Sequence, residues 1–323
     1  MKKSIALAAL LTLSIPFGQA AAAEGPSTYR VTGEDRYETS ANLAYEGWEK
    51  SKVAVIATGR DFPDALSATP LAYKYDAPLL LTNTNSVPES LQYAIEDLGV
   101  TQVYLIGGTA VISADVEKQL KALGVKKITR ISGSDRYQTS VKIAEAVGPS
   151  EGIFVAAGQS FADALSIAPI AAQLETPILL TKKNDVPKSV ASYVNTLKPE
   201  GTLVVGGEGA ISKSVASKFP NVDRISGVDR YDTNSQIVTE FAELGILDMD
   251  LPFIATGQNF PDALSASAVA AGFLNGVILT HPTTPKATTK ATIKKYAKDA
   301  EEYIIVGGQK ALPDSAINKL LSK

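Results

Sequence analysis

Gly33-Glu34-Asp35-Arg36-Tyr37-Glu38-Thr39-Ser40 decides the fold, because this stretch returns twice along the 323-residue chain. The second copy begins at Gly133 and the third at Gly227, and both keep the pattern Gly-x-Asp-Arg-Tyr-x-Thr. Three further blocks follow each copy in the same order: Phe-x-Asp-Ala-Leu-Ser, an apolar run ending in Leu-Thr, and an aliphatic pair followed by Gly-Gly. Such self-similarity predicts tandem modules of about 100 residues, each large enough to bury its own core.

Apolar runs alternate with helix-like segments in each copy. In the first copy we predict strands at residues 28–32, 53–57, 78–81 and 103–106, with a helix after each. Strands that are apolar throughout are typical of a parallel sheet covered by helices on both faces. We therefore predict the α/β class, with three tandem homologous modules that each contain a parallel sheet of about four strands flanked by helices.

The N-terminal residues have the features of a secretory signal peptide. Lys2 and Lys3 precede an apolar stretch at residues 5–17, and Ala21-x-Ala23 gives a small-residue cleavage site. We expect residues 1–23 to be removed on export, and no later apolar stretch is long enough to cross a bilayer. The remaining chain divides into module 1 (24–125), module 2 (126–221) and module 3 (222–323).

The cysteine and histidine counts exclude several classes of site. The chain has no cysteine and a single histidine, His281, which lies in the third copy alone. Disulfides, thiolate metal sites and cysteine nucleophiles are therefore excluded, and a repeated active site cannot use histidine. No metal or cofactor is expected. The formal net charge is −3, so the protein has no overall positive charge that would attract nucleic acid. An anionic partner therefore needs local basic sites or bridging cations.

All four repeated blocks fall at or just after the end of a predicted strand. Ligands of parallel α/β sheets bind at the carboxyl ends of the strands, so we expect the blocks of each module to meet at one sheet edge. This places a candidate ligand-binding site, and no catalytic site, in every module. Its residues are Arg36, Tyr37, Thr39, Asp64, Ser67 and Thr82 in module 1; Arg136, Tyr137, Thr139, Asp163, Ser166 and Thr181 in module 2; and Arg230, Tyr231, Thr233, Asp262, Ser265 and Thr280 in module 3.

Two interpretations of these residues remain open. In the first, the arginines bind a phosphate or carboxylate with two hydrogen bonds, and the tyrosines stack on a sugar ring. In the second, the arginines form structural ion pairs with Asp64, Asp163 or Asp262, and the tyrosines fill seams between modules. The aspartates also suit the first turn of a helix, where free N–H groups favour a carboxylate. A single carboxylate per cluster is a weak Mg²⁺ or Ca²⁺ site.

Two other patterns have structural interpretations. The Gly-Gly pairs lack the spacing of a nucleotide-binding loop and are typical of a tight turn. In module 3, Lys286, Lys290, Lys294 and Lys298 recur every four residues, which places them along one face of a predicted helix. We interpret this face as solvated, and a basic stripe for an anionic polymer is the alternative.

Taken together, the Asp-Arg-Tyr-x-Thr, Phe-x-Asp-Ala-Leu-Ser, Pro-Ile-Leu-Leu-Thr and Gly-Gly motifs resemble the type 2 cell-wall-binding repeat of Gram-positive bacteria, from about Thr28 to the C-terminus. The resemblance implies three α/β modules packed with pseudo-threefold symmetry. It also implies a secreted, non-enzymatic protein retained at the cell wall by an anionic polymer, either teichoic-acid-like or a secondary polysaccharide. The family's anchoring block maps to Pro78–Thr82, Pro177–Thr181 and Gly276–Thr280.

This sequence departs from the family pattern in two modules. Gly276 and Val277 replace the proline and the first aliphatic residue in module 3, and Ala157 and Ala162 replace threonine and proline in module 2. We therefore expect the three sites to differ in affinity. Two other functions remain alternatives: a divalent-ion-dependent wall-modifying hydrolase that uses the repeated aspartates, and a self-assembling surface-layer protein.

Overall fold

The computed structural model describes residues 27–61 and 63–322, and the predicted signal peptide lies outside this part of the chain. Strands and helices alternate throughout it, as predicted. Module 1 contains β1 (Thr28–Val31), α1 (Arg36–Gly47), β2 (Val53–Thr58), a 3₁₀ turn (Ala65–Ser67), α2 (Thr69–Lys74), β3 (Leu79–Thr82), α3 (Glu89–Leu98), β4 (Gln102–Ile106) and α4 (Ala114–Ala122). Module 2 contains β5 (Lys127–Ile131), α5 (Arg136–Val147), β6 (Gly152–Ala157), α6 (Ala162–Gln173), β7 (Ile178–Thr181), α7 (Lys188–Leu197), β8 (Gly201–Val205) and α8 (Lys213–Ala216). Module 3 contains β9 (Val222–Ile225), α9 (Arg230–Glu243), β10 (Phe253–Thr256), α10 (Pro261–Gly272), β11 (Val277–Thr280), α11 (Ala287–Tyr296), β12 (Tyr303–Val306) and α12 (Asp314–Leu321).

The strands form three parallel sheets of four strands each, which confirms the predicted fold class. The first sheet has the order β3-β2-β4-β5, the second β7-β6-β8-β9 and the third β1-β12-β10-β11. Every residue of β3, β7 and β11 is buried. Uniformly apolar strands of this kind require cover on both faces of the sheet, and the helices supply it.

The strand that opens each repeat joins the sheet of the preceding repeat. β5 begins module 2 in the sequence, yet it pairs with β4 of module 1, and β9 pairs with β8 in the same way. β1 pairs in parallel with β12, from Thr28 opposite Tyr303 to Val31 opposite Val306. We predicted residues 28–32 as a strand of module 1, but the structure places this strand in the third sheet. Repetition shows which segments are equivalent, and it does not show which of the equivalent strands become neighbours.

Three helices, α2, α6 and α10, pack against one another at the centre of the molecule. Every residue of α6 from Ala162 to Ala172 is buried, as expected for a helix that is apolar on all sides. The buried hydroxyls of Thr69 on α2 and Ser267 on α10 lie 2.7 Å apart and share a hydrogen bond. α1 packs on α10, α5 on α2 and α9 on α6, so each module contacts its neighbour in the same cyclic order. The modules therefore surround a pseudo-threefold axis.

The helices are short compared with the thickness of a bilayer. The longest among the described residues, α9, has 14 residues, whereas about 20 are needed to span the hydrocarbon core. Within this part of the chain, no helix combines the length and apolar character of a membrane span.

Candidate functional site

The Gly-x-Asp-Arg-Tyr-x-Thr block forms the turn that leads into the first helix of each module. Asp35 caps α1, because its Oδ1 accepts hydrogen bonds from the N–H groups of Tyr37 at 2.8 Å and Glu38 at 3.0 Å. Thr39 Oγ1 accepts a hydrogen bond from Gly33 N at 3.0 Å and donates to Asp35 O at 2.9 Å. Thr139 and Thr233 accept the same bond from Gly133 and Gly227. The three predicted threonines therefore hold this turn in place.

The arginine and the tyrosine of this block pack around the glycine that follows the next strand. Arg36 Nη1 donates to the carbonyl of Gly59 at 2.5 Å. The Tyr37 ring lies so close that a Cβ on Gly59 would stand 2.5 Å from its Cε1, so a larger residue would clash there. Arg136 donates to Gly158 O at 2.6 Å and Arg230 to Gly257 O at 2.7 Å, with Tyr137 and Tyr231 over the same glycines.

The aspartate of the Phe-x-Asp-Ala-Leu-Ser block lies against the first glycine of the Gly-Gly pair. A Cβ on Gly206 would stand 2.5 Å from Asp163 Oδ2, and Gly206 has a φ of +109°. Both features favour glycine at this position. Asp64 approaches Gly107, and Asp262 approaches Gly307, in the same manner. In each module the Gly-Gly turn therefore contacts the carboxyl group of the repeated aspartate.

Each of these aspartates faces the arginine of the next module. Burial raises the pKa of Asp163 to about 6, and the guanidinium of Arg230 in module 3 opposes this rise. Burial likewise raises the pKa of Asp64 and of Asp262. At Asp64 a hydrogen bond with Thr139 and then the guanidinium of Arg136 oppose this rise, and at Asp262 the guanidinium of Arg36 opposes it. We call these boundaries seam 1 (Asp64, Arg136), seam 2 (Asp163, Arg230) and seam 3 (Asp262, Arg36). The structure therefore brings the predicted arginines and aspartates together across modules.

A second arginine at each seam was absent from the predicted site. Arg130 on β5 donates from Nη1 to Gly107 O at 2.6 Å and from Nη2 to Glu117 Oε1 at 2.6 Å. Arg30 donates to Gly307 O at 2.5 Å, and Arg224 donates to Gly206 O. Each of these arginines stands three residues before the glycine that begins the first block. Extending the comparison of the repeats by three residues towards the N-terminus would have found them.

Seam 1 opens into a cleft of about 300 Å³ at the carboxyl edge of the first sheet. Asp64 and Arg136 line this cleft together with Asp61, Asp135 and Thr58. The other lining residues are Pro63, Gly108, Ala110, Val111, Gly133 and Ser134. Three aspartates and one arginine, contributed by two modules, therefore line one space. The cleft offers acceptors for hydroxyl groups and one strong donor for an anionic group.

Several predicted site residues lie in the interior. Tyr137 and Tyr231 are buried, Tyr37 is half-buried, and Thr82, Thr181 and Thr280 at the strand ends are buried completely. The hydroxyls of Ser67 and Ser265 are buried and have no hydrogen-bond partner among the described residues. Ser166 Oγ accepts a hydrogen bond from Asn234 Nδ2 at 3.1 Å, between modules 2 and 3. Ligand contact by these side chains stays a prediction.

The lysines of module 3 are partly engaged with neighbouring side chains. α11 ends before Lys298, so the helix is shorter than the spacing of the lysines predicted. Lys286 forms an ion pair with Asp229 at 3.1 Å, and Lys290 donates to Ser322 Oγ at 3.3 Å. The choice between a solvated helix face and a basic stripe stays a prediction.

Three tandem α/β modules joined by repeated seams define this chain as a repeat protein of the α/β class. Comparison with known families identifies the family of the repeat. The cell wall binding domain 2 (CWB2) family matches residues 30–117, 130–216 and 224–317. The chain belongs to this family. The resemblance inferred from the four motifs is confirmed.

Two curated relatives come from Bacillus subtilis (strain 168). N-acetylmuramoyl-L-alanine amidase LytC is 32% identical over 294 residues, which are 91% of this chain and 58% of LytC. A protein called amidase enhancer is 31% identical over 280 residues, which are 86% of this chain and 38% of the enhancer. The chain therefore spans less than two thirds of the length of either relative.

Two solved structures from Clostridium difficile share the architecture. Cwp6 superposes with a TM-score of 0.85 at 28% identity, covering 92% of this chain and 48% of Cwp6. Cwp8 superposes with a TM-score of 0.82 at 26% identity, covering 91% of this chain and 51% of Cwp8. Together with the family, these likenesses indicate a protein associated with the cell wall.

Proposed function

We propose that this chain is a secreted, non-catalytic protein retained at the cell wall by an anionic polymer, teichoic-acid-like or a secondary polysaccharide, bound at the seams between its modules. Membership of a cell-wall-binding family supports the general function. One observation supports the site: Asp64 of one module and Arg136 of the next line a single open cleft. The Asp-Arg arrangement recurs at three seams, and linked weak sites hold a polymer far more tightly than one site alone.

The guanidinium of Arg136 supplies the contact for an anionic group. Arginine carries five N–H donors, and Arg136 uses Nη1 for the Gly158 carbonyl at 2.6 Å, which holds the side chain beside the cleft. A phosphate or carboxylate of the polymer pairs with the guanidinium, while Asp61, Asp64 and Asp135 accept hydrogen bonds from sugar hydroxyls. The excess of carboxylates favours a polymer whose anionic groups are separated by hydroxylated sugars.

The test is co-sedimentation of the mature protein with purified Gram-positive cell walls, before and after chemical extraction of their anionic polymer. We expect extraction to lower the bound fraction about tenfold or more, since linked sites are lost together. Arg136→Gln should weaken binding, and the triple change of Arg36, Arg136 and Arg230 to Gln should weaken it most. Lys188→Gln is the matched control, because it removes one positive charge from the exposed start of α7.

Two outcomes would contradict the proposal. Equal binding to extracted walls would show that the anionic polymer is not the ligand. Undiminished binding by the triple arginine variant, with an unchanged circular dichroism spectrum, would show that the seams are not the site.

Secretion follows from the proposed signal peptide at residues 1–23. The protein collected from the walls or the medium of an expressing bacterium should begin at Glu24 when its N-terminus is sequenced. An N-terminus at Met1 would contradict the cleavage.

A wall-modifying hydrolase is the second candidate, and one observation favours it. Burial raises the pKa of Asp163 to about 6, a range that suits a general acid near neutral pH. Among the described residues, however, no cluster of three or more His, Asp or Glu side chains could hold a metal ion. Release of soluble wall fragments that disappears in Asp163→Asn would establish this activity, and the absence of release at full binding would exclude it.

A further inference from the structure

Module 1 carries three exposed tyrosines that the seams do not use. Tyr29 on β1 is 44% exposed, Tyr45 on α1 is 40% exposed and Tyr93 on α3 is 54% exposed. Among the described residues, no other tyrosine is as exposed. A large aromatic ring in solvent leaves apolar area unburied, and neighbouring rings that form one patch mark a candidate contact surface.

Each of these tyrosine hydroxyls donates a hydrogen bond to a carboxylate. The pairs are Tyr29 with Glu46 at 2.8 Å, Tyr45 with Asp97 at 3.0 Å and Tyr93 with Glu89 at 2.6 Å. Partial burial and the hydrogen bond to Asp97 raise the pKa of Tyr45 to about 12, so its hydroxyl stays protonated and keeps donating at neutral pH. The hydrogen bonds hold the rings in fixed positions, which lowers the entropy lost when a ligand binds.

The pairs made by Tyr45 and Tyr93 form one continuous surface. Glu89, Tyr93 and Asp97 recur every four residues on α3, so these three share one helix face. Tyr45 reaches Asp97 across the contact between α1 and α3. We call the surface made by Tyr45, Tyr93, Glu89 and Asp97 the tyrosine face.

The other two modules build the same fold without a tyrosine face. The equivalent positions hold Thr129, Glu145 and Ser192 in module 2 and Asp223, Thr239 and Ala291 in module 3. The tyrosines are therefore not required by the fold of the repeat.

We propose that the tyrosine face binds the uncharged glycan strands of the cell wall. Tyrosine rings present flat amphipathic surfaces on which sugar rings stack, and the carboxylates beside them accept hydrogen bonds from sugar hydroxyls. The residues of the tyrosine face include no arginine, so this surface lacks the guanidinium that the seams offer to an anionic group.

The test uses N-acetylchitohexaose, an uncharged oligosaccharide, titrated into the mature protein and followed by calorimetry and by NMR. We expect saturable binding, weakened about tenfold or more in the double variant Tyr45→Ala with Tyr93→Ala, because two stacking surfaces are lost. The matched control changes the equivalent positions of module 2, Glu145→Ala with Ser192→Ala, and should bind as the unaltered protein does.

A second variant separates stacking from hydrogen bonding by the hydroxyls. Tyr45→Phe with Tyr93→Phe keeps both rings and should retain most of the affinity. Absence of binding by the unaltered protein would overturn the proposal, and so would equal binding by the double alanine variant.

The arginine variants of the seams keep this inference distinct from the proposed function. The triple arginine variant should bind the oligosaccharide normally while it loses the anionic polymer. The double tyrosine variant should lose the oligosaccharide and still bind the anionic polymer. The two proposals can therefore fail independently of each other. Loss of oligosaccharide binding in the triple arginine variant, with its circular dichroism spectrum unchanged, would overturn the tyrosine face as an independent site.

Discussion

Single glycines set the geometry of the seams by leaving room for another residue's side chain. Gly59 admits the Tyr37 ring, and Gly206 admits the carboxyl group of Asp163. These glycines recur because a Cβ would collide with a neighbour, and Gly206 also has a φ of +109°, which side-chain-bearing residues rarely adopt. The seam is therefore sensitive to the smallest possible increase in side-chain size.

Gly206→Ala should lower the free energy of unfolding by about 1–3 kcal/mol, because it combines an unfavourable φ with a clash against Asp163 Oδ2. Gly207→Ala is the matched control, since a Cβ on Gly207 meets nothing within 4 Å. Urea denaturation of both variants measures the difference. Equal stability of the two would show that the contact with Asp163 does not constrain the turn.

Asp163 makes the stability of the protein depend on pH. Its pKa is raised to about 6 in the folded protein by burial, whereas aspartate in an unfolded chain titrates near 3.9. The folded state therefore binds the proton more tightly between about pH 4 and pH 6, and the free energy of unfolding falls as the pH rises through this range. Two pKa units correspond to a loss of about 3 kcal/mol at most.

Asp163→Asn imitates the neutral carboxyl group and should remove this contribution. We expect the variant to be more stable than the unaltered protein at pH 7 and equally stable near pH 4, as measured by urea denaturation at a series of pH values. The other two seam aspartates are present in both proteins and do not affect the comparison. If the free energy of unfolding changed with pH in the same way in both proteins, Asp163 would not be the group that makes stability depend on pH.

At the scale of helices and strands, the complete sheet and the sequence repeat are different units. A fragment of residues 24–125 contains β1 without its partner β12 and β4 without its partner β5. A fragment of residues 34–131 contains all four strands of the first sheet. We expect the second fragment to be the more ordered, because its ladder of hydrogen bonds is complete, and amide hydrogen exchange along β4 measures this. Greater protection of β4 in the first fragment would contradict the conclusion that the complete sheet, and not the sequence repeat, is the folding unit.

Local signals in the sequence were enough to predict the strands and the helices. The apolar run at residues 103–106 and the capping turn around Asp35 depend only on nearby residues. The partners across the seams could not be predicted in the same way. Because every copy carries the same arginine and the same aspartate, Asp64 could pair with Arg36 as well as with Arg136, and only the packing of the modules decides between them.

The three modules form a closed ring, since β1 from the N-terminal module completes the sheet of the C-terminal module. Each module therefore has two neighbours, and the molecule has as many seams as modules. An open row of three modules would have only two seams. Closure also joins the first and last described strands through a backbone ladder.

Deletion of residues 24–31 should open this ring. We expect the thermal unfolding temperature to fall and amide protection to disappear along Tyr303–Val306, because β12 loses the strand at its edge. A control that changes Thr28 and Tyr29 to alanine keeps the backbone ladder and should keep the protection. Unchanged exchange in the deletion variant would mean that β1 contributes nothing to closure.

The pairing of β1 with β12 also limits how this architecture can grow by gene duplication. Each repeat after the first contributes its opening strand to the sheet before it, so a fourth copy would need the edge of β12, and that edge is already occupied. A closed ring of this kind therefore holds three copies, whereas an open solenoid can lengthen by adding repeats. Within the ring the number of seams is fixed, so the three seams can diverge only through changes in their side chains.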